Sequence, residues 1–104
     1  MKLLTNELKK ELSALYAKEN EKDPLVICKF FLPMTKWTWY ATEFDGNDIF
    51  FGYVAGDFPE LGYFSLKELE EIEGPYGLGI ERDMHFKPTS LSKIKEECES
   101  KRRY

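Results

Sequence analysis

A chain of 104 residues has room for one hydrophobic core and no second one, since a domain of this size buries roughly 60–70% of the surface its unfolded form exposes. Hydrophobic residues at 42% and charged residues at 33% exclude the profile of a disordered chain, and no run approaches the roughly 18 apolar residues of a membrane-spanning helix. The net charge of -4 is unevenly spread: residues 1–42 sum to +2, residues 84–104 to +3, and residues 43–83 set eleven acids against Lys67 and Arg82, a sum of -9.

The opening MKLLTNELKKEL mixes apolar with charged residues and offers no uninterrupted apolar stretch for a secretory signal, so a cytoplasmic protein is expected. Thr5 has the side-chain oxygen of a helix cap. Leu4, Leu8, Leu12, Leu15 and Tyr16 recur at three- and four-residue steps, which predicts an amphipathic helix of about a dozen residues ended by KENEKD and Pro24. LVICKFFL, residues 25–32, is apolar on both alternating faces and predicts a strand covered on two sides. After Pro33, Trp37, Trp39 and Ala41 alternate with Thr38, Tyr40 and Thr42, the period-two pattern of a half-buried strand. Trp37, Trp39, Phe51 and Tyr53 are expected in the core, with Tyr40 facing out.

Asp45 and Gly46 supply hairpin-turn chemistry, with a return strand over 48–55 and a loop at Gly56, Asp57 and Pro59. LGYF forms a short strand running into a helix at Ser65, whose spacing to Glu68 is that of a capping box and whose Leu66, Leu69 and Ile72 face the core. GPYGLG stops that helix, IERDMHF forms a last strand, and Ser90 caps a final helix with Leu91, Ile94 and Cys98 inward, followed by a basic tail from residue 100. Short connections between the early strands predict a single α+β domain over 1–104. It is built on an antiparallel sheet of four to five strands, packed on one face by N-terminal, middle and C-terminal helices.

Little in this chain carries chemistry. Cys28 and Cys98 match no metal spacing and read as reduced, packed side chains. GPYGLG lacks the lysine and the strand-to-helix setting of a phosphate loop. Glu81, Asp83 and His85 would share one strand face as i, i+2 and i+4, and make the best local set for a metal or for acid–base work; a solvated strand face is the more ordinary reading, and no fourth ligand is identifiable. No catalytic residue, metal or cofactor is therefore assigned.

Aromatics interleaved with acids rather than bases argue against direct nucleic-acid binding. The same acids suit a protein partner with a basic nucleic-acid-binding surface, where carboxylates can occupy phosphate positions. Glu43, Asp45, Asp48, Asp57 and Glu60, in or beside loops, are the residues expected to meet such a partner.

The segments WTWYATEFDGNDIFFGYVAGDFPELGYFSLKELE and GLGIERDMHF, with MKLLTNEL and FKPTSLS, carry a resemblance over nearly the whole chain. They resemble an uncharacterised family of small acidic bacterial proteins carried on plasmids, conjugative elements and phages, often near antirestriction genes. An inhibitor of a type II CRISPR effector nuclease is similar to this family. The resemblance implies a non-enzymatic mobile-element protein that binds and inhibits a host defence nuclease. The alternatives are an accessory protein of a plasmid-transfer or replication assembly and a small metal-dependent factor using Glu81, Asp83 and His85.

Overall fold

A computed structural model describes residues 2–102. Five antiparallel strands form the main sheet: β2 (Cys28–Phe31), β3 (Thr38–Phe44), β4 (Ile49–Ala55), β5 (Glu60–Ser65) and β6 (Glu81–Arg82), in the spatial order β5-β4-β3-β2-β6. A separate two-stranded ladder joins β1 (Leu25–Val26) to β7 (Thr89–Ser90). The helices are α1 (Asn6–Glu11), α2 (Leu66–Glu71) and α3 (Leu91–Arg102). The expected α+β class and five-stranded antiparallel sheet are thus present. The expected tail from residue 100 is in part helix, with residues 100–102 continuing α3; Arg103 and Tyr104 lie outside the described residues.

The helices do not share one face of the sheet. Phe50, fully buried, is the centre of the larger core, with ring centroids of Phe44, Phe64 and Phe30 at 4.6, 5.1 and 5.5 Å. Leu3, Leu4 and Leu12 around α1 and Leu69 of α2 close over that side. On the opposite side, Leu91 and Ile94 of α3 cover Tyr40, Tyr53 and Val26. Tyr40 is therefore buried, against expectation, because α3 lies over it. Burial, and next Cys98, whose thiol donates to the Tyr40 hydroxyl at 3.8 Å, push that phenol well above its ordinary pKa. Cys28 faces the larger core, where burial raises its thiol to about 12. Both cysteines are free.

Period-two alternation holds in β3 only as far as Ala41. Ala41 pairs with Gly52 and Glu43 with Phe51, so one extra residue of β3 is accommodated between them. This bulge returns Phe44 to the side of Trp39 and Ala41, and turns Glu43 to the side of Tyr40. Gly52 is required opposite it, since a side chain there would overlap the Tyr40 carbonyl.

Helix α1 is half the expected length. Thr5 does cap it, accepting from the Leu8 N–H at 3.2 Å, but Leu12 is already extended and Ser13 bridges to Glu43 of β3. The Ser65 hydroxyl accepts from the Glu68 N–H at 3.2 Å at the start of α2, as its spacing predicts. Ser90 does not cap α3. Its strand pairing with Leu25 brings Asp23 to the helix start, where that carboxylate accepts from the Ser92 N–H (2.8 Å) and hydroxyl (2.7 Å).

The two edges of the sheet differ. β6 has two residues, and Arg82 donates to the Lys2 and Leu3 carbonyls at 2.6 and 3.0 Å, fastening the N-terminal segment there. β5 has six residues and ends the sheet on the other side.

Candidate functional site

The five acids expected to bind a partner do not form one surface. Glu43 is 4% exposed, and its carboxylate accepts from the backbone N–H groups of Tyr16 (3.1 Å) and Lys18 (2.8 Å). It is a buried tie rather than a contact residue, and the bulge is what aims it inward. Asp45 sits in the β3–β4 turn, where one oxygen accepts from the N–H groups of Asn47, Asp48 and Ile49 at 2.8, 2.7 and 3.0 Å. Those bonds hold its pKa below the ordinary carboxylate range. Asp48 accepts from the Ser65 hydroxyl (2.7 Å) and the Lys67 N–H (2.8 Å), fixing the start of α2 to the same turn. Asp57 pairs with Lys36 at 2.8 Å in the β4–β5 turn, and Glu60 begins β5 nearby. The two turns lie at opposite ends of β4, about 20 Å apart.

Glu81, Asp83 and His85 do not share a strand face. Strand β6 ends at Arg82, and Asp83 makes a turn in which its carboxylate accepts from the His85 N–H at 3.0 Å and faces the Lys29 ammonium at 3.8 Å. The three residues border one shallow depression, yet among the described residues no group of three or more His, Cys, Asp or Glu side chains could hold a metal ion.

A better-formed feature lies on the α3 side of the sheet. With twelve residues, α3 covers Tyr40 and Tyr53 but not the outer strands. Beyond it Phe51, Leu61 and Tyr63 form the floor of a groove of about 470 Å³, walled by Tyr16 and the turns that follow it. The volume is in the range of small-ligand and side-chain pockets. Tyr16, Leu61 and Tyr63 are 63%, 45% and 54% exposed, and the rings of Phe51 and Tyr63 meet edge to face at 5.0 Å. The neighbouring Tyr16 side chain is the first cause of a raised Tyr63 pKa; burial and the charges of Tyr16, Glu43 and Glu19 follow. Glu19, Glu21 and Glu43 border the same groove. Lys18, Lys22 and Lys95 border the groove as well: Lys18 donates to the Leu25 carbonyl at 3.3 Å and Lys95 sits 5.9 Å over the Tyr53 ring.

Sequence reasoning did not single out this groove. Alternation in ELGYFS puts Leu61 and Tyr63 on one face, but nothing local says that α3 stops short of them. The Phe51 expected in the core is half-buried for the same reason.

The charge of the central segment is spread evenly along it. Among the described residues, no ion pair involves Glu60, Glu68, Glu70, Glu71 or Glu73, and all five are exposed. No helix of the described residues is long and apolar enough to cross a membrane.

Neither a curated protein nor a solved structure shows significant similarity to the chain. A family model described as protein of unknown function (DUF2958) matches residues 3–101, nearly the whole fold set out above, and the chain belongs to that family.

Proposed function

We propose that this is a non-enzymatic binding protein of a mobile element, which inhibits a host defence nuclease by placing its acidic surface on a basic nucleic-acid-binding surface. The supporting observation is the exposed, internally unpaired set Glu60, Glu68, Glu70, Glu71 and Glu73. Carboxylates without internal counter-charges project a negative field that steers basic partners and repels phosphate backbones. Asp45 and Asp48 add to that field from the β3–β4 turn, whereas Asp57 is paired with Lys36 and Glu43 is withdrawn from it. The resemblance to an inhibitor of type II CRISPR effectors directs the test to such a nuclease loaded with guide RNA.

The chain is titrated into DNA-binding and cleavage reactions of the effector at two salt concentrations. Inhibition that weakens at higher salt is the expected result. The combined variant Glu60→Lys, Glu68→Lys, Glu70→Lys, Glu71→Lys, checked for native circular dichroism, is expected to lose it. Absence of inhibition by the wild-type chain, or full inhibition by the folded variant, would overturn the proposal. A second reading draws on the exposed Tyr16, Leu61 and Tyr63: an accessory protein of a plasmid-transfer or replication assembly, which would co-purify with element-encoded proteins instead.

A further inference from the structure

Strand β5 is an edge without protection. The Leu66 N–H donates to the Asp48 carbonyl at 2.8 Å, which sets the phase of the ladder between β4 and β5. Residues 60, 62 and 64 therefore bond to β4, while Leu61 and Tyr63 direct their N–H and C=O groups outward. Among the described residues no backbone bond from another part of the chain reaches those outward groups, and β5 has no neighbour on that side. Sheets usually close such an edge with a lysine, a proline, a bulge or a covering helix. ELGYFS contains neither lysine nor proline, and its register with β4 runs unbroken from Glu60 to Ser65. Helix α2 gives no cover either: it leaves β5 at Ser65, buries Leu69 in the larger core and leads to Gly74, which packs on Leu32 just after β2.

We propose that two copies of this chain pair through β5, antiparallel about a two-fold axis at Gly62, into one continuous ten-stranded sheet. The pairing goes beyond the nuclease reading and does not depend on it. Symmetry about Gly62 sets Leu61 of each copy opposite Tyr63 of the other. Both are outward residues, so each pair exchanges two main-chain bonds and the groups left open at 61 and 63 are all satisfied. An axis at Leu61 would set Pro59, which has no N–H, opposite Tyr63. An axis at Tyr63 would set Leu61 opposite Ser65, where the strand already turns into α2. Gly62 itself favours the central axis. A side chain there would meet nothing within 4 Å and its φ is not left-handed, so its own fold does not call for glycine. A mid-strand glycine of that kind marks the close approach of another backbone.

The side chains select a copy as the occupant. The groove rim carries Lys18, Lys22 and Lys95 against Glu19, Glu21 and Glu43, a balance that favours neither a basic nor an acidic partner. Across the axis the exposed Leu61 and Tyr63 of both copies meet beside Tyr16, and each covers the other. On the opposite face of the sheet, Glu60 of one copy comes opposite Phe64 of the other, next to the start of α2 and Lys67. Both charges are exposed, and among the described residues neither has an ion pair in its own chain. The symmetry thus supplies each with a counter-charge, once at either end of the joined strands.

Sedimentation velocity of the full chain between about 1 μM and 1 mM is expected to show monomers giving way to dimers, with no larger species. The Leu61 and Tyr63 amides, followed by hydrogen exchange, should gain protection over the same range. Leu61→Lys combined with Tyr63→Lys sets like charges opposite each other twice, at exposed positions, and should raise the dimer dissociation constant roughly tenfold. Cross-linking reads the register. With the axis at Gly62 the two 62 positions lie about 4.5 Å apart, within disulfide reach, whereas the two 58 positions are more than about 20 Å apart. Mild oxidation should therefore link Gly62→Cys into covalent dimers and leave Phe58→Cys and the wild-type chain, with its native Cys28 and Cys98, monomeric on denaturing gels. If circular dichroism shows the lysine variant unfolded, the cross-linking carries the test alone. A chain monomeric throughout, dimers whose Leu61 and Tyr63 amides stay unprotected, or cross-linking no faster in Gly62→Cys than in Phe58→Cys would overturn the proposal.

Discussion

The Glu43 carboxylate accepts from the backbone N–H of Lys18 at 2.8 Å, across twenty-five positions of sequence, and with its bond to Tyr16 it fastens the segment after α1 to the middle of the sheet. Removing it leaves two backbone donors without a partner beneath the groove. Glu43→Ala is expected to destabilise the fold by about 3 kcal/mol. Glu43→Gln, which keeps one acceptor oxygen, should lose about 1–2 kcal/mol. Urea unfolding followed by circular dichroism measures both, and equal stability of Glu43→Ala and wild type would contradict the assignment.

Two glycines of neighbouring strands should respond oppositely to the same change. A methyl group on Gly52 would overlap the Tyr40 carbonyl oxygen, which is main chain and cannot move aside, whereas one on Gly62 meets nothing within 4 Å. Gly52→Ala is expected to lose about 3 kcal/mol or more. Gly62→Ala should fall within about 0.5 kcal/mol of wild type, with a gain from the stiffer unfolded chain. Thermal unfolding of the pair checks this, and comparable losses in both would refute the account of the bulge.

Asp45 links the hairpin turn to acidity. Its pKa is lowered in the fold by the Asn47, Asp48 and Ile49 N–H groups, so its ionised form stabilises the native state above the ordinary carboxylate pKa of about 3.9. That contribution is lost as pH falls through the lowered value. Asn at this position accepts the same bonds without titrating. Between about pH 4 and pH 2 the stability of Asp45→Asn should therefore fall less steeply than that of wild type, as read from urea midpoints across pH; parallel curves would show that the turn bonds do not discriminate between the charged and neutral forms.

Where local chemistry decides structure, the sequence is legible. The Asp45–Gly46 turn, the Ser65–Glu68 cap and the strands on either side of the hairpin follow from two- to four-residue patterns, and all are present. What fails is decided across the fold. The leucine stripe from Leu4 to Tyr16 supports a longer helix than forms, because Ser13 and Glu43 pair and Glu43 draws the N–H groups of Tyr16 and Lys18. Tyr16 is accordingly left-handed, at φ 68°. The strand expected over 25–32 divides at Ile27, as β1 turns to β7 and β2 stays in the main sheet. Glu43 reads as a loop acid until the bulge is known, and the set Glu81, Asp83, His85 reads as one face until the strand is seen to end at Arg82. The groove depends on how far α3 reaches, which no periodicity encodes.

The unequal edges of the sheet limit how copies of this chain can associate. Each molecule offers one long free strand, β5, while the strand at the other edge, β6, has only two residues. Joining two β5 strands about a two-fold axis uses up both open edges at once, so edge-to-edge growth stops at a pair. A chain with two such strands could polymerise indefinitely, whereas this one terminates itself, and a high local concentration leaves it without a route to fibres through its sheet.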